Sequence, residues 1–212
     1  MSIFAGLVDP CIALAERPIA ETPEALFAET AECVADAVEK RQREFLTGRA
    51  CAHDALTALG APATALLPGA DRLPDWPEGF TGSITHTDHY CAAAALRTGN
   101  GIRAIGIDLE PQEPLPADLW EMVCRPEESA AIAKLPAREQ GLYARALFSA
   151  KESAFKAQFP LTRTMLEFSQ VGVDLDLANG RFEATYMLGK PQATAQGRIR
   201  IADGFIATTL TL

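Results

Sequence analysis

The sequence contains no pair of cysteines in a CxxC spacing and no phosphate-binding loop of the form G-x-x-x-x-G-K-[ST]. Its five cysteines are odd in number and scattered, which argues against a disulfide framework or a zinc site and favours a reducing cytoplasm. The missing loop counts against the commonest class of nucleotide hydrolase. No hydrophobic run reaches the length of a membrane span, and no basic segment precedes the apolar N-terminal residues. We therefore expect neither a membrane helix nor a secretory signal.

Positive charge is also in short supply. The 212 residues include 19 Lys and Arg against 28 Asp and Glu, which gives a formal net charge of −9. This balance argues against a general nucleic-acid binder and against a protein that binds anionic membranes. An anionic ligand must therefore be held by a local cluster of basic side chains. The length and the hydrophobic content of 48% are those of a soluble protein with one large domain or two small ones.

Among the features that are present, the most informative is an acidic strand at residues 105–110. Its apolar residues occupy every second position, which is the period of a strand with one buried face. Asp108 and Glu110 lie between them on the other face. Two carboxylates on one face repel each other, and a divalent cation such as Mg²⁺ prefers carboxylate oxygens. The alternative is a strand end that carries two solvated acids.

The N-terminal half of the chain is predicted to contain two helical segments. The first begins at Thr22, where a threonine cap precedes a proline, and the second covers residues 49–59. Gly48 between them marks either a break or a close approach. Arg41 falls on the apolar stripe of the first helix, where it either extends to solvent or points into a site. His53 is expected at the surface.

The remaining elements predict a protein of mixed α and β structure. Residues 1–20 are expected to be irregular, residues 82–96 to form two strands, and residues 171–212 to form four. A metal site at His86 and His89 is disfavoured because no cysteine or third histidine is near.

A long helix is predicted from about Arg138 to Phe159, ending before Pro160. One of its faces is apolar. The other carries four polar side chains at helical spacing, namely Arg145, Ser149, Glu152 and Lys156. The alternative to a site is a solvated face on which Glu152 and Lys156 form a weak pair.

Four motifs in this order resemble those of the surfactin-type 4′-phosphopantetheinyl transferases, in particular the enterobactin-synthase-component branch. The family shows G-[IV]-D-x-E and then [WF]-x-x-K-E-[AS]-x-x-K, matched here by residues 106–110 and 148–156. The branch also shows R-x-x-E-F-x-x-G-R-x-x-A and W-P-x-G-x-x-G-S-[IL]-[ST]-H, matched by residues 41–52 and 76–86. One such motif would be weak evidence, whereas four in order are specific.

The resemblance implies an enzyme of the holo-[acyl-carrier-protein] synthase type. This transferase moves phosphopantetheine from coenzyme A to a serine of an apo carrier protein and releases 3′,5′-ADP. The implied fold is α+β, with two pseudo-symmetric α/β halves packed as one unit. Residues 1–104 would be the N-terminal half, on the side of the coenzyme A 3′-phosphate and adenosine, and residues 105–212 the C-terminal half, with the metal and catalytic motifs. Coenzyme A is the implied substrate and Mg²⁺ the implied cofactor, with Mn²⁺ left open.

The resemblance also assigns roles to individual residues. Asp108, Glu110 and Glu152 would hold the metal, and Glu152 and Lys156 would be catalytic. Glu152 as a base needs a raised pKa and as a metal ligand a lowered one, so its role stays open. The residues implied in coenzyme A binding are Arg41, Arg49, Ser83, Thr85, His86, Lys151 and Lys156. The guanidinium fork of arginine suits a phosphate.

Partners and setting follow from the same resemblance. The partner would be an acyl, peptidyl or aryl carrier protein of fatty-acid, polyketide, nonribosomal-peptide or siderophore synthesis. The family implies a monomer, while the scattered cysteines favour the cytoplasm and the negative net charge argues against nucleic-acid or membrane partners. Pro68 stands where some relatives have a ligand-binding lysine, so that contact is either missing or supplied by Arg72. A non-catalytic module of the same fold, which binds coenzyme A or a carrier, stays open as the alternative.

Overall fold

The structure is a computed structural model that describes residues 2–71, 73–99, 101–187 and 192–212. Its mixture of helices and sheets confirms the predicted α+β class. The chain divides into two compact units, one of which is Val8–Ile105. The other combines Met1–Leu7 with Gly106–Leu212.

In the unit Val8–Ile105, one long helix packs on a small antiparallel sheet. Its elements in chain order are β1 (Ala13–Pro18), α1 (Ala28–Glu32), α2 (Glu39–Ala58), β2 (Phe80–His86) and β3 (Tyr90–Arg97). The strand order is β1-β3-β2. The central strand β3 carries a run of fully buried alanines, and α2 lays Ala52 and Ala55 against this side of the sheet. Small side chains on both surfaces allow helix and sheet to approach closely.

Two expectations for the elements of this unit are wrong. The segment predicted to be irregular contains β1, which pairs with β3 along its whole length. No helix begins at Thr22; α1 and α2 begin later, at Ala28 and Glu39. Of the two alternatives for Gly48, the structure shows the close approach, because α2 continues through this residue without a break. A Cβ there would lie 3.1 Å from the Ile84 side chain, so the glycine permits the helix to approach β2.

The unit that includes Gly106–Leu212 is built on a larger antiparallel sheet. Its elements are β4 (Ile105–Pro111), α3 (Trp120–Val123), α4 (Pro126–Ile132), α5 (Ala137–Thr162), β5 (Val171–Asp176), β6 (Arg181–Tyr186), β7 (Ala193–Ala202) and β8 (Phe205–Thr211). The strand order is β4-β8-β7-β6-β5. The core lies between α5 and the sheet, and it includes Leu147, Phe182 and Ile206.

Helix α5 is longer than predicted. It continues past Pro160 to Thr162 and ends at Arg163, which adopts the left-handed conformation with φ of 54°. A proline in the last turn removes one donor only, so the helix tolerates it there. Within the described residues, no helix combines the length and the apolar character that a membrane crossing needs.

Gly106 sets the distance between β4 and α5. A Cβ at this position would lie 1.9 Å from the Ser153 carbonyl oxygen and 2.6 Å from the Ala157 backbone nitrogen. Only glycine allows the two backbones to come this close. The contact places Asp108, two residues along β4, beside the α5 turn that carries Glu152 and Lys156.

Candidate functional site

A candidate site in the unit that includes Gly106–Leu212 is built around an ion pair between β4 and α5. The Lys156 ammonium donates to Asp108 Oδ1 at 2.7 Å. Asp108 is only 4% exposed, because the strand face that carries it is covered. Burial by itself would lower the pKa of Lys156, but the charges of Asp108, Glu152 and Glu110 outweigh it and raise that pKa above its ordinary value. Lys156 is therefore the cation that three predicted site carboxylates share.

Glu110 has a cation of its own. Arg145 on α5 donates through Nη1 to Glu110 Oε2 at 2.7 Å, and it also donates to the carbonyl oxygens of Glu113 and Pro114. Burial, and then the charge of Asp108, raise the pKa of Glu110 to about 7, although Arg145 and Lys156 act in the opposite direction. Arg145 was not predicted as a site residue. Its signal was its position on the polar stripe of α5, in line with Glu152.

Glu152 lies on the same stripe and is partly buried. Burial raises its pKa; the charge of Lys156 opposes this shift and that of Asp108 adds to it. The charge of Asp108 thus raises the pKa values of both Glu110 and Glu152.

The described residues do not contain a group of three His, Cys, Asp or Glu side chains close enough together to hold a metal ion. Lys156 and Arg145 instead contact two of the carboxylates. The donor chemistry nevertheless fits a hard divalent cation, because carboxylate oxygens are what Mg²⁺ prefers. Among the predicted site residues, these three carboxylates are the donors that would hold it.

Lys151 is not where its predicted role requires it. Its side chain is 0% exposed, and its ammonium donates to the Val123 carbonyl, the Phe168 carbonyl and Glu128 Oε2 at 2.8, 3.0 and 2.7 Å. An ammonium has three protons, and all three are used inside the protein. The assignment of Lys151 to coenzyme A is therefore wrong, since no donor is left for a phosphate.

A separate basic cluster lies on α2, within the unit Val8–Ile105. Arg41 and Arg49 are four residues before and four residues after Phe45. Their guanidinium carbons lie 5.7 and 4.4 Å from the centroid of the Phe45 ring. Arg49 is buried and donates through Nε to the Leu66 carbonyl at 2.7 Å. Burial, and then the charge of Arg41, lower the pKa of Arg49 to about 10, so it stays protonated at neutral pH. Two like charges at one place favour an anion between or beside them.

The strand β2 ends in an exposed polar residue. His86 lies there, with Nδ1 3.9 Å from Glu44 on α2. Ser83 and Thr85 on the same strand are only 6% and 4% exposed, so little of either side chain is accessible to a ligand. Arg72, the alternative to a lysine at Pro68, lies outside the described residues.

Comparison with known proteins agrees with the motifs. The profile of the 4′-phosphopantetheinyl transferase N-terminal domain matches residues 29–96, and that of the 4′-phosphopantetheinyl transferase superfamily matches residues 104–208. The chain is 38% identical to 4′-phosphopantetheinyl transferase Svp of Streptomyces mobaraensis, an alignment that covers 96% of this chain and 87% of the relative.

Two further relatives differ in how much of the chain they match. 4′-Phosphopantetheinyl transferase Npt of Nocardia iowensis is 38% identical, with 90% of this chain and 91% of the relative covered. Enterobactin synthase component D of Salmonella typhi is 34% identical over 56% of this chain and 48% of the relative. The similarity to the first two extends over nearly the whole chain, and to the third over about half of it.

Proposed function

The chain belongs to the 4′-phosphopantetheinyl transferase superfamily, and we propose that it moves phosphopantetheine from coenzyme A to a serine hydroxyl of an apo carrier protein. The products are the holo carrier and 3′,5′-ADP. The observation that carries this proposal is the arrangement of Asp108, Glu110, Glu152 and Lys156 on β4 and α5. This arrangement lies inside the segment that the superfamily profile matches.

Asp108, Glu110 and Glu152 are the proposed ligands of Mg²⁺, and Mn²⁺ has the same ligand preference. When bound, the ion neutralises negative charge on the pyrophosphate and on the leaving 3′,5′-ADP. Lys156 supplies a second positive charge at the same place, and its pairing with Asp108 keeps the ammonium protonated and oriented.

Glu152 is the proposed base for the serine proton. Its pKa is raised by burial, which brings it nearer to the working pH than an ordinary glutamate. A carboxylate of this kind takes the proton of the attacking hydroxyl as the serine oxygen bonds to phosphorus, while the pyrophosphate bond of coenzyme A breaks and 3′,5′-ADP leaves.

Arg41 and Arg49 are the proposed contacts of the 3′-phosphate and ribose of coenzyme A. The guanidinium groups offer paired N–H donors that match phosphate oxygens. Arg49 is held by the Leu66 carbonyl, so part of its ordering is complete before a ligand binds. His86 is a proposed phosphate contact at the exposed end of β2. Ser83 and Thr85 on the same strand are not included in this set, because little of either side chain is accessible to a ligand.

The proposed partner is an acyl, peptidyl or aryl carrier protein of fatty-acid, polyketide, nonribosomal-peptide or siderophore synthesis. We place the enzyme in the cytoplasm as a monomer. All five cysteines carry free thiols, which is the state expected in a reducing compartment.

Intact-mass spectrometry of an apo carrier incubated with this protein, coenzyme A and Mg²⁺ tests the proposal. A mass gain of one phosphopantetheine group is expected, and it should disappear with EDTA and in Glu152→Gln. Glu139→Gln, an exposed glutamate at the start of the same helix, is the matched control and should stay active. Coenzyme A binding without a mass gain on several carriers would indicate the non-catalytic module, and no binding would contradict the assignment altogether.

A further inference from the structure

A largely buried polar cluster joins five elements around the fully buried Lys151. Its ammonium, which lies on α5, contacts the end of α3 through the Val123 carbonyl and the turn before β5 through the Phe168 carbonyl. Its third proton goes to Glu128 on α4. Glu128 in turn accepts from the Val173 backbone N–H at 2.8 Å and from the Arg125 backbone N–H at 2.7 Å. Donors and acceptors are matched throughout, so the cluster has one preferred geometry.

The cluster lies one residue from the proposed base. Adjacent residues of an α-helix point about 100° apart around its axis. Lys151 is directed into the cluster, and the backbone of Ser153 lies against Gly106 of β4. Lys151 and Ser153, the two neighbours of Glu152 in the sequence, are both 0% exposed, and they are held on different sides of α5. The rotation of α5 is thereby set, and with it the direction of the Glu152 side chain.

We propose that the Lys151–Glu128 pair is a positioning device, which sets the rotation of α5 that directs Glu152 towards Asp108 and Lys156. Lys151 does not contact coenzyme A. It acts through the buried partners that hold its ammonium, and Glu128 is as necessary as the lysine. This inference rests on the proposed function, because it concerns the geometry of that same site.

A double-mutant cycle separates positioning from phosphate binding. The variants are Lys151→Met, Glu128→Gln and their combination, with Lys134→Met, an exposed lysine that follows α4, as the matched control. Transfer to the carrier gives kcat and KM, calorimetry gives the dissociation constant of coenzyme A, and thermal unfolding shows which variants are folded at the assay temperature.

Lys151→Met leaves Glu128 buried without a cation. We expect kcat to fall about a hundredfold, the loss that a displacement of about 1 Å produces, and KM for coenzyme A to stay unchanged. Adding Glu128→Gln removes the unpaired charge, and a neutral pair of similar volume is tolerated where a broken pair is not. The double variant should therefore regain most of the lost kcat. Lys134→Met should behave as wild type.

Other outcomes would overturn the proposal. A raised KM and dissociation constant for coenzyme A in Lys151→Met, not relieved by Glu128→Gln, would show that Lys151 binds the ligand. An unchanged kcat would show that the pair positions nothing. If Lys151→Met does not fold, the double variant decides: wild-type affinity for coenzyme A supports the proposal and weakened affinity overturns it. A wild type that modifies no carrier would instead refute the proposed function, and with it this inference.

Discussion

Gly106 is the residue at which the backbone of β4 meets that of α5. Replacing it with alanine would place a Cβ 1.9 Å from the Ser153 carbonyl oxygen, so the strand and the helix must separate. We expect Gly106→Ala to lower the free energy of unfolding by about 1–3 kcal/mol, as overpacking in a core does. Separation would also draw Asp108 away from Lys156, so carrier modification should fall further than the lost stability explains.

Urea unfolding and the rate of carrier modification at a temperature where the variant is folded would check this expectation. Gly69→Ala is a suitable control, because a Cβ there would meet its neighbours at ordinary distances of 3.4 and 3.5 Å. A stable and fully active Gly106→Ala protein would show that the close approach of the two backbones does not matter to the site.

The buried side chain of His53 should make the stability of the protein depend on pH. It was expected at the surface, but it is 8% exposed, with its ring 5.0 Å from that of Phe27. Burial, and then the charge of Arg49, lower the pKa of His53 below its ordinary value. The folded protein therefore binds fewer protons at this site than the unfolded chain does.

Because the pKa of His53 is lower in the folded protein, its contribution to stability is complete above about 6.5, the pKa in the unfolded chain. This contribution is lost as the pH falls from there through the lower pKa of the folded protein. We expect the free energy of unfolding, measured in urea from about pH 5 to about pH 7.5, to rise with pH more steeply in wild type than in His53→Asn. His89→Asn removes an exposed ring and should leave the slope as it is. Equal slopes in wild type and His53→Asn would contradict the buried neutral histidine.

At the scale of elements, the segment between α2 and β2 is held to the unit Val8–Ile105 by Leu66. This side chain is 0% exposed in the cluster with Leu56 and Ala93, while its carbonyl oxygen accepts from Arg49. Leu66→Ala should lower the free energy of unfolding by about 2–5 kcal/mol, because a buried leucine leaves a cavity. It should also weaken coenzyme A binding, because the loop that orients Arg49 loosens.

The unfolding measurement and calorimetry with coenzyme A check the two parts separately. Leu26→Ala is the control, since this leucine is 58% exposed and its removal should change stability little. A destabilised Leu66→Ala protein with unchanged affinity would mean that Arg49 needs no support from the loop, or that it does not bind the ligand.

Elements with a clear period could be predicted from the sequence, and those held by distant contacts could not. The alternation in β4 and the polar stripe of α5 are local patterns, so both elements were found near their observed positions. The strand β1 has no such pattern. The segment that contains Ala13 and Ala15 forms a strand because its backbone pairs with the alanines of β3. Gly48 interrupts helical propensity, but its contact with β2 outweighs that preference.

The site shows the same limit. The spacing of Glu152 and Lys156 predicts that they share a face of α5, and both lie with Asp108. Lys151 was assigned by its motif, although it is one residue from Glu152 and therefore on another side of the helix. Its partners come from three other parts of the chain, Val123, Glu128 and Phe168, and no local pattern indicates them. Motif matching pointed to Lys151, but it could not separate a ligand contact from an internal support.

For the molecule as a whole, the net charge of −9 bears on how it meets its proposed partner. Carrier proteins are acidic as a class, so long-range attraction between the two should be absent. We expect the rate of carrier binding to change little, or to fall, as salt is lowered, because less screening exposes the mutual repulsion. At an ionic strength of about 0.1 M the Debye length is already about 10 Å, so the effect should be confined to the lowest salt.

Stopped-flow measurement of carrier binding over a range of ionic strengths tests this expectation. A carrier variant with several surface acids replaced by neutral residues is the matched control, and at low salt it should bind faster than the native carrier, with the two rates converging as salt is raised. A rate that rose steeply as salt was lowered would require a basic patch that outweighs the overall charge. The contact would then be electrostatic, whereas a flat salt dependence points to the small, largely apolar patch that an acidic enzyme and an acidic carrier need.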